Sequence, residues 1–290
     1  MQYLIDQIVS GIAVGAIYGL AAMGFALIYK ATGLLNFAQG ELSMLVAYIA
    51  WSIAKVASGN PWLVVGGALV AAVILGLAIE RVVMRPMLGE PVFATVMVTI
   101  GLAVIIRSAV ILIWDAYPHG LNIGIGREIL QIGGSGVRSA QLVVMATLAA
   151  SAAAFWAFFR YSKIGKAMRA VAADERAAQL MGISAAHIHA VAWGASSFMA
   201  GIAGIFFALL YDVSPNMYDI GLKAFPATIL GGLDSVLGSG LGGVLMGVAE
   251  NLAGGYLASS IKEITGFVVI IAVLMIRPFG LFGETEIERV

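Results

Sequence analysis

The side chains of this chain that could do chemistry are few, and most lie in apolar surroundings. Arg107 falls inside the apolar run 92–114, Glu250 sits beside Asn251 in the run 236–257, and Glu41 closes a short polar interruption. A charge near a bilayer centre costs about 2.5–3.5 kcal/mol on insertion scales, so Arg107 must pair, reach water or snorkel to the outer headgroups. Glu41 and Glu250 are the carboxylates available to it. A second set comprises Asn36, Gln39 and Glu41 on residues 33–41, with Thr228 and Asp234 on residues 224–235. Such groups on interrupted segments can meet a small polar solute in transit, and they serve equally as helix caps or interhelical hydrogen bonds.

Bond-breaking chemistry finds no comparable support. A zinc hydrolase needs two His one helical turn apart with a Glu, as in H-E-x-x-H. Here His187 and His189 are two apart and His119 stands alone. Ser135, in the run GGSGV, lacks the last glycine of G-x-S-x-G. The pair Gly165-Lys166 has Arg160 where a P-loop requires glycine and is followed by Ala167, so any ATP-driven step must come from another chain. Cysteine is absent, which removes disulfides and thiolate metal sites. The expectation is a non-enzyme with no catalytic residue, no metal and no cofactor.

The elements that must hold these residues follow from composition. Of 290 residues 61% are hydrophobic and 11% charged, whereas soluble domains carry about 25% charged residues. The 16 Lys and Arg balance 16 Asp and Glu, so there is no basic excess for nucleic acid. Apolar runs suited to a hydrocarbon core of about 30 Å lie at 8–29, 42–57, 62–79, 92–114, 141–159, 188–211, 236–257 and 263–277. Tyr29, Trp62, Trp114, Trp156, Tyr211 and Tyr256 mark their ends, where amphipathic rings favour the headgroup layer. The pattern predicts an all-α polytopic membrane protein, one domain over 1–290, with about 8 transmembrane helices embedded in the lipid bilayer. Two short segments, 33–41 and 224–235, the latter with Pro226, Gly231 and Gly232, are expected to be broken or re-entrant. The leading MQYLID carries Asp6 and no Lys or Arg, unlike a signal peptide, so the first run is expected to remain as a helix.

Arg160, Lys163, Lys166, Arg169 and Arg176 assign residues 160–187 to the cytoplasmic side, Arg81 and Arg85 assign the turn after the third run to that side, and 115–140 is then external. If both short segments change sides, both termini are cytoplasmic. The order long span, short segment, span, span occurs in 8–79 and again in 188–277; both copies start from the cytoplasm, so a parallel internal repeat is expected. Gly11, Gly15 and Gly19, and Gly243 and Gly247, stand four apart, which allows close approach of a backbone within the chain or from another subunit.

In the loop 160–187, Asp174 is placed to cap a helix of about two turns, Glu175 to complement its dipole and Gly182 to end it in a left-handed conformation. Ser184 then caps the next span. So short a helix must rest on other protein, although the loop could also be a basic connection that enforces topology. Arg169-Ala170, Ala173-Asp174, Ala177-Ala178 and Gly182-Ile183 resemble the coupling loop of permeases in bacterial branched-chain amino acid ABC importers. Gly19 through Thr32-Gly33-Leu34-Leu35-Asn36-Phe37-Ala38-Gln39-Gly40-Glu41 looks like the first half of that family, Gly231-Gly232 to Gly247 its second half, and Arg277-Pro278-Phe279-Gly280-Leu281-Phe282-Gly283 its terminus. Together these cover nearly the whole chain and are most similar to the LivH-type subunit.

The resemblance implies a multi-pass subunit of the bacterial inner membrane that forms the pathway of an ATP-driven importer. Leucine, isoleucine or valine would arrive on a periplasmic substrate-binding protein. Its partners would be a second, LivM-type permease in a heterodimer and two ABC ATPase subunits. Residues 173–182 would be the coupling helix, with Arg169, Asp174, Glu175, Ala177, Ala178 and Gly182 in the ATPase-coupling loop. The run Asp174-Glu175-Arg176-Ala177-Ala178 departs from the plain Glu-Ala-Ala start of the broader importer motif. The alternatives are a related permease for urea, short amides or other amino acids, and a passive channel.

Overall fold

The computed structural model describes residues 2–57, 60–124, 126, 128–132, 135–258 and 260–283. The chain is helical almost throughout: α1 (Gln2–Thr32), α2 (Gln39–Val56), α3 (Pro61–Ile79), α4 (Val92–Trp114), α5 (Ser139–Tyr161), α6 (Lys163–Ala173), α7 (Glu175–Leu180), α8 (Ala185–Leu210), α9 (Asp219–Gly231), α10 (Val236–Tyr256) and α11 (Ile261–Ile276). A hairpin of β1 (Ile129–Ile132) and β2 (Ser135–Arg138) decorates the α4–α5 connection. Among the described residues six helices are long and apolar enough to cross a membrane: α1, α3 with its continuation to Met87, α4, α5, α8 and α10. Two of the eight predicted spans fall short of that measure: α11 has only 16 residues, and α2, at 18, includes Gln39, Glu41 and Lys55 and is not apolar enough.

Contacts fix the direction of each helix. Tyr29 to Gly33, at the end of α1, share a cavity with Arg169 to Glu175, so α1 runs toward the basic face. Its beginning lies at the opposite face, where the Tyr3 hydroxyl donates to Gly255 O at the end of α10 (2.9 Å). Trp51 of α2 stacks on His119 in the α4–α5 connection at 4.0 Å, and Trp114 of α4 donates to Ser52 Oγ at 2.7 Å, so α2 and α4 both end away from the basic face. The described residues thus make nine alternating passes, with α9 and α11 returning toward the basic face.

This corrects the expected placement of both termini on one side. Residues 33–38 are not a separate crossing. They carry the chain back from the end of α1 to the level of Gly24, about 12 Å at 1.5 Å per residue, and α2 completes that pass. The start of α1 and the segment after α11 consequently lie on opposite faces.

The stretches expected to correspond in 8–79 and 188–277 run in opposite directions, α1 toward the basic face and α8 away from it. In the first half a non-helical stretch enters from the basic face and a helix, α2, leads away from it. In the second half residues 211–218 enter from the opposite face, held at Val213 by a two-way backbone pairing with His119 (2.8 Å each way), and α9 leads back. The interruption expected at 224–235 therefore precedes the helix: α9 is continuous from Asp219 to Gly231 with Pro226 inside it. Inverted halves with discontinuous helices place their shared site near the midplane.

Non-helical backbone survives in hydrocarbon only where protein satisfies it. In 33–38, Gly33 takes φ +68°, Leu34 N donates to Thr32 Oγ1 (3.2 Å), Phe37 N to Thr99 Oγ1 (3.3 Å) and Ala38 N to Asn36 Oδ1 (3.1 Å). The packing around this link depends on glycine. A Cβ on Gly15 would lie 2.7 Å from Gly243 O and 2.8 Å from Val244 Cα, so the four-residue glycine spacings join α1 to α10 inside the chain. α1 is enclosed along most of its length as a result.

Gly243→Ala puts a methyl group into the Gly19 backbone, whereas a Cβ on Gly66 of α3 meets nothing within 4 Å. We expect Gly243→Ala to cost about 1–3 kcal/mol through overpacking and Gly66→Ala to be near neutral. The check is the thermal unfolding midpoint of the purified protein in detergent.

Candidate translocation site

The beginnings of α2 and α9 meet inside the bundle. Gly40 and Gly221 lie back to back, since a Cβ on Gly221 would approach Gly40 N to 2.7 Å, and a Cβ on Gly40 would strike Tyr218 O. The contact brings together groups far apart in sequence. Glu41, buried in the first turn of α2, forms an ion pair with Arg107 of α4, which lies about 10 Å from Trp114 by helix rise. The Arg107 guanidinium stacks on Tyr218, its carbon 3.5 Å from the ring centroid. Of the two carboxylates open to Arg107, geometry selects Glu41. Beside this pair lies a cavity of about 60 Å³ with Phe25, Phe37, Leu222 and Phe225 in its wall.

Glu250 has a different partner. Its Oε2 accepts from Lys223 Nζ (3.0 Å) and from the Tyr18 hydroxyl (3.3 Å), which ties α1, α9 and α10 together. A larger cavity of about 180 Å³ adjoins this group, bordered by Asp219, Met246 and Phe267.

Asn36 and Gln39 are fully buried and spend their polar atoms on the fold. Asn36 Nδ2 donates to Gln39 Oε1 (3.2 Å), Gln39 Nε2 donates to Ser196 O (3.3 Å), and Ser196 Oγ donates to Gly24 O (2.8 Å). Thr228 is buried as well; its hydroxyl lies 2.8 Å from Ala224 O and 3.3 Å from Ala22 O. Asp234 is not with them. It lies at the basic face, where its carbonyl accepts from Lys30 Nζ (2.8 Å), in a cavity of about 700 Å³ shared with Arg169, Asp174 and Glu175.

At that face α6 precedes α7. The Asp174 carboxylate accepts from Ala177 N (2.9 Å), Gly182 has φ +84°, and Ser184 Oγ accepts from His187 N (3.4 Å). Ala178 is buried while Leu180 and Met181 are 89% and 83% exposed. Arg169, Glu175 and Ala177 are also on the surface.

The starts of α2 and α9 thus meet beside two ion pairs whose carboxylates are buried and whose cations are partly open. The family model described as branched-chain amino acid transport system / permease component matches residues 7–276. The chain belongs to this permease family. LivH, the high-affinity branched-chain amino acid transport system permease protein of Salmonella typhimurium, is 32% identical over 307 aligned residues, covering 99% of this chain and 98% of its own. The Escherichia coli LivH is 31% identical over 305, with the same coverages, and BraD of Pseudomonas aeruginosa is 30% identical over 306, covering 100% and 99%. These relatives are transport components, and this permease is a multi-pass membrane protein built almost entirely of helices.

Sequence reasoning missed three features of the permease. Lys223 stands one residue before the segment assigned to 224–235, and a cation ending an apolar run looks like a boundary. Tyr218 carries no signal of its own. α6 was hidden among its basic residues, although Ser162 caps it, accepting from Ile164 N (3.1 Å), and Gly165, Met168 and Val171 mark a buried face at helical spacing.

Lys223→Met would leave the Glu250 carboxylate buried with one hydroxyl donor. A stranded partner costs about 3–5 kcal/mol, and Lys223→Met with Glu250→Gln should recover most of that loss in the same thermal unfolding assay.

Proposed function

We propose that this chain is a permease subunit of an ATP-driven importer for branched-chain amino acids, resident in a bacterial inner membrane. In this reading it pairs with a second, LivM-type permease, two ABC ATPase subunits drive it, and a periplasmic binding protein delivers leucine, isoleucine or valine. The observation that carries the motor-driven reading is α7. Its cap, its left-handed terminator and its buried Ala178 hold it as a rigid spur, and Leu180 and Met181 project from it with almost nothing of this chain against them. Exposed side chains of that kind on a basic, water-facing loop fit a groove in a partner. Arg169, Asp174, Glu175, Ala177, Ala178 and Gly182 are accordingly assigned to ATPase coupling.

A second observation supports the paired permease. Arg107 is 37% exposed, Lys223 is 24% exposed, and Asp219 is exposed beside them. Lipid solvates charges at that depth poorly. The face formed by α4 and the start of α9 therefore needs water or another subunit over it, which supports a pathway along that face. Asn36, Gln39 and Thr228 serve it by positioning α2 and α9, Glu41 by facing it, and Asp234 by lining its exit. The phenylalanine wall beside Glu41 favours an aliphatic side chain over urea or a short amide.

Leu180→Ser with Met181→Ser should leave the permease folded in the membrane while lowering ATP-driven leucine uptake in proteoliposomes at least about tenfold. The ATPase subunits should no longer co-purify. The sequence has no cysteine, so Tyr3→Cys and Met181→Cys are single labelling sites. A membrane-impermeant maleimide added to intact spheroplasts should reach the first and spare the second. Labelling of Met181→Cys from outside would invert the topology and remove the coupling role of α7.

A further inference from the structure

In that reading the ion pair between Arg107 and Glu41 borders the pathway, and the cavity beside it, about 60 Å³, is smaller than those beside Glu250 and at the basic face. Two opposite charges, the Tyr218 ring and apolar side chains narrow it. Arg107 keeps donor capacity in reserve: its Nε–H is buried and has no hydrogen-bond partner, while Nη2 serves Glu41. Once Nη2 leaves Glu41, the Nε–Nη2 edge matches a carboxylate in bidentate geometry.

We propose that Arg107 and Glu41 recognise the charged head of an α-amino acid by exchanging partners with it. The substrate carboxylate takes the Arg107 fork and its ammonium takes Glu41, while its aliphatic side chain replaces contacts among Phe25, Phe37, Leu222 and Phe225. This rests on the reading of the chain as an amino acid permease and adds how the substrate class is read.

The exchange is favoured by charge balance. The closed pair carries one positive and one negative charge, and a zwitterion brings one of each. Both side chains stay paired at every stage, and no net charge is added to the membrane interior. A ligand carrying an amine alone, a carboxylate alone or a neutral amide leaves Arg107 or Glu41 without a counter-charge in a medium that penalises it. Selection for the zwitterion then follows from the permease itself, beside whatever selection the delivering protein applies.

The experiment uses the complete importer, both permeases, ATPases and binding protein, in proteoliposomes, and the same complex in detergent. Arg107→Met with Glu41→Leu removes both charges and strands neither, so the fold is kept. Leucine uptake by this double variant should fall at least about tenfold, the factor that about 1.4 kcal/mol of lost binding gives. Glu41→Gln alone should fall further. In detergent, millimolar leucine should raise the melting temperature of the wild-type complex stripped of binding protein. 4-Methylpentanoate and 3-methylbutylamine, each missing one charge, should not. Wild-type uptake rates in the double variant would show the pair to be structural and overturn the proposal, as would equal protection by either single-charge analogue. Protection by leucine alone, in a wild-type complex whose uptake ignores ATP, would uphold the exchange and sink the importer reading instead.

Discussion

A peptide group in hydrocarbon must be paired, and the two places where this chain leaves helical geometry inside the membrane decide how everything else is arranged. Residues 33–38 cannot satisfy themselves as a helix would. They borrow Thr32 from α1, Thr99 from α4 and Asn36 from within, and Gln39 then anchors the start of α2 on Ser196 of α8. Three helices must therefore stand around one short link. α1 meets α8 closely where Gly24 faces Ser196 O, and glycine faces backbone again between α1 and α10 and between the starts of α2 and α9. Remove the glycines and the donors and acceptors separate; remove the donors and acceptors and the link has no reason to be unwound.

The unwound links have an electrostatic consequence. Each starts its half-helix deep in the bundle, and the first turns of those helices carry Glu41 and Asp219. Carboxylates near helix N-termini meet the positive end of the macrodipole; buried Glu41 also takes a cation from another element, Arg107 of α4. Lys223 of α9 pairs instead with Glu250 of α10. These two pairs sit on the side of α9 that the rest of the chain leaves uncovered. The fold thus builds a polar seam on one flank of an otherwise lipid-compatible body.

The reach of the sequence can be judged residue by residue. Span existence was legible because twenty apolar residues in a row are a local signal, and the α7 cap was legible because Asp174, Gly182 and Ser184 act within a few residues. The first break was legible as a break, but its boundary was not: Gln39 and Glu41 look like loop residues, and only their bonds to Ser196 and Arg107 show why a membrane helix can begin with them. That displaced boundary changed the number of crossings, and with it the side of the first residues and the relative direction of the two stretches. The partner of Arg107 was narrowed to two carboxylates, and helix position chose between them, a non-local fact. Composition groups Asp234 with Asn36, Gln39, Glu41 and Thr228, and the fold sets it apart from them at the basic face, because α9 continues helically through Pro226 to Gly231.

The basic face shows how a spur on the surface could matter to a seam in the interior. α7 is joined through α6 to the end of α1, where Lys30 holds the carbonyl of Asp234 in the turn that follows α9. On its other side that turn is clasped by the chain after α11, since Leu281 N donates to Leu230 O (2.9 Å) and Phe282 N to Gly231 O (3.1 Å). α9 is thus fastened firmly at its end on the basic face, while its beginning rests on Gly221 against Gly40 with no side chain between. The beginning is held by side chains as well, since Arg107 stacks on Tyr218 and Lys223 pairs with Glu250. α9 therefore joins the two regions as one continuous helix, and Gly232, at φ +106°, ends it at the basic face.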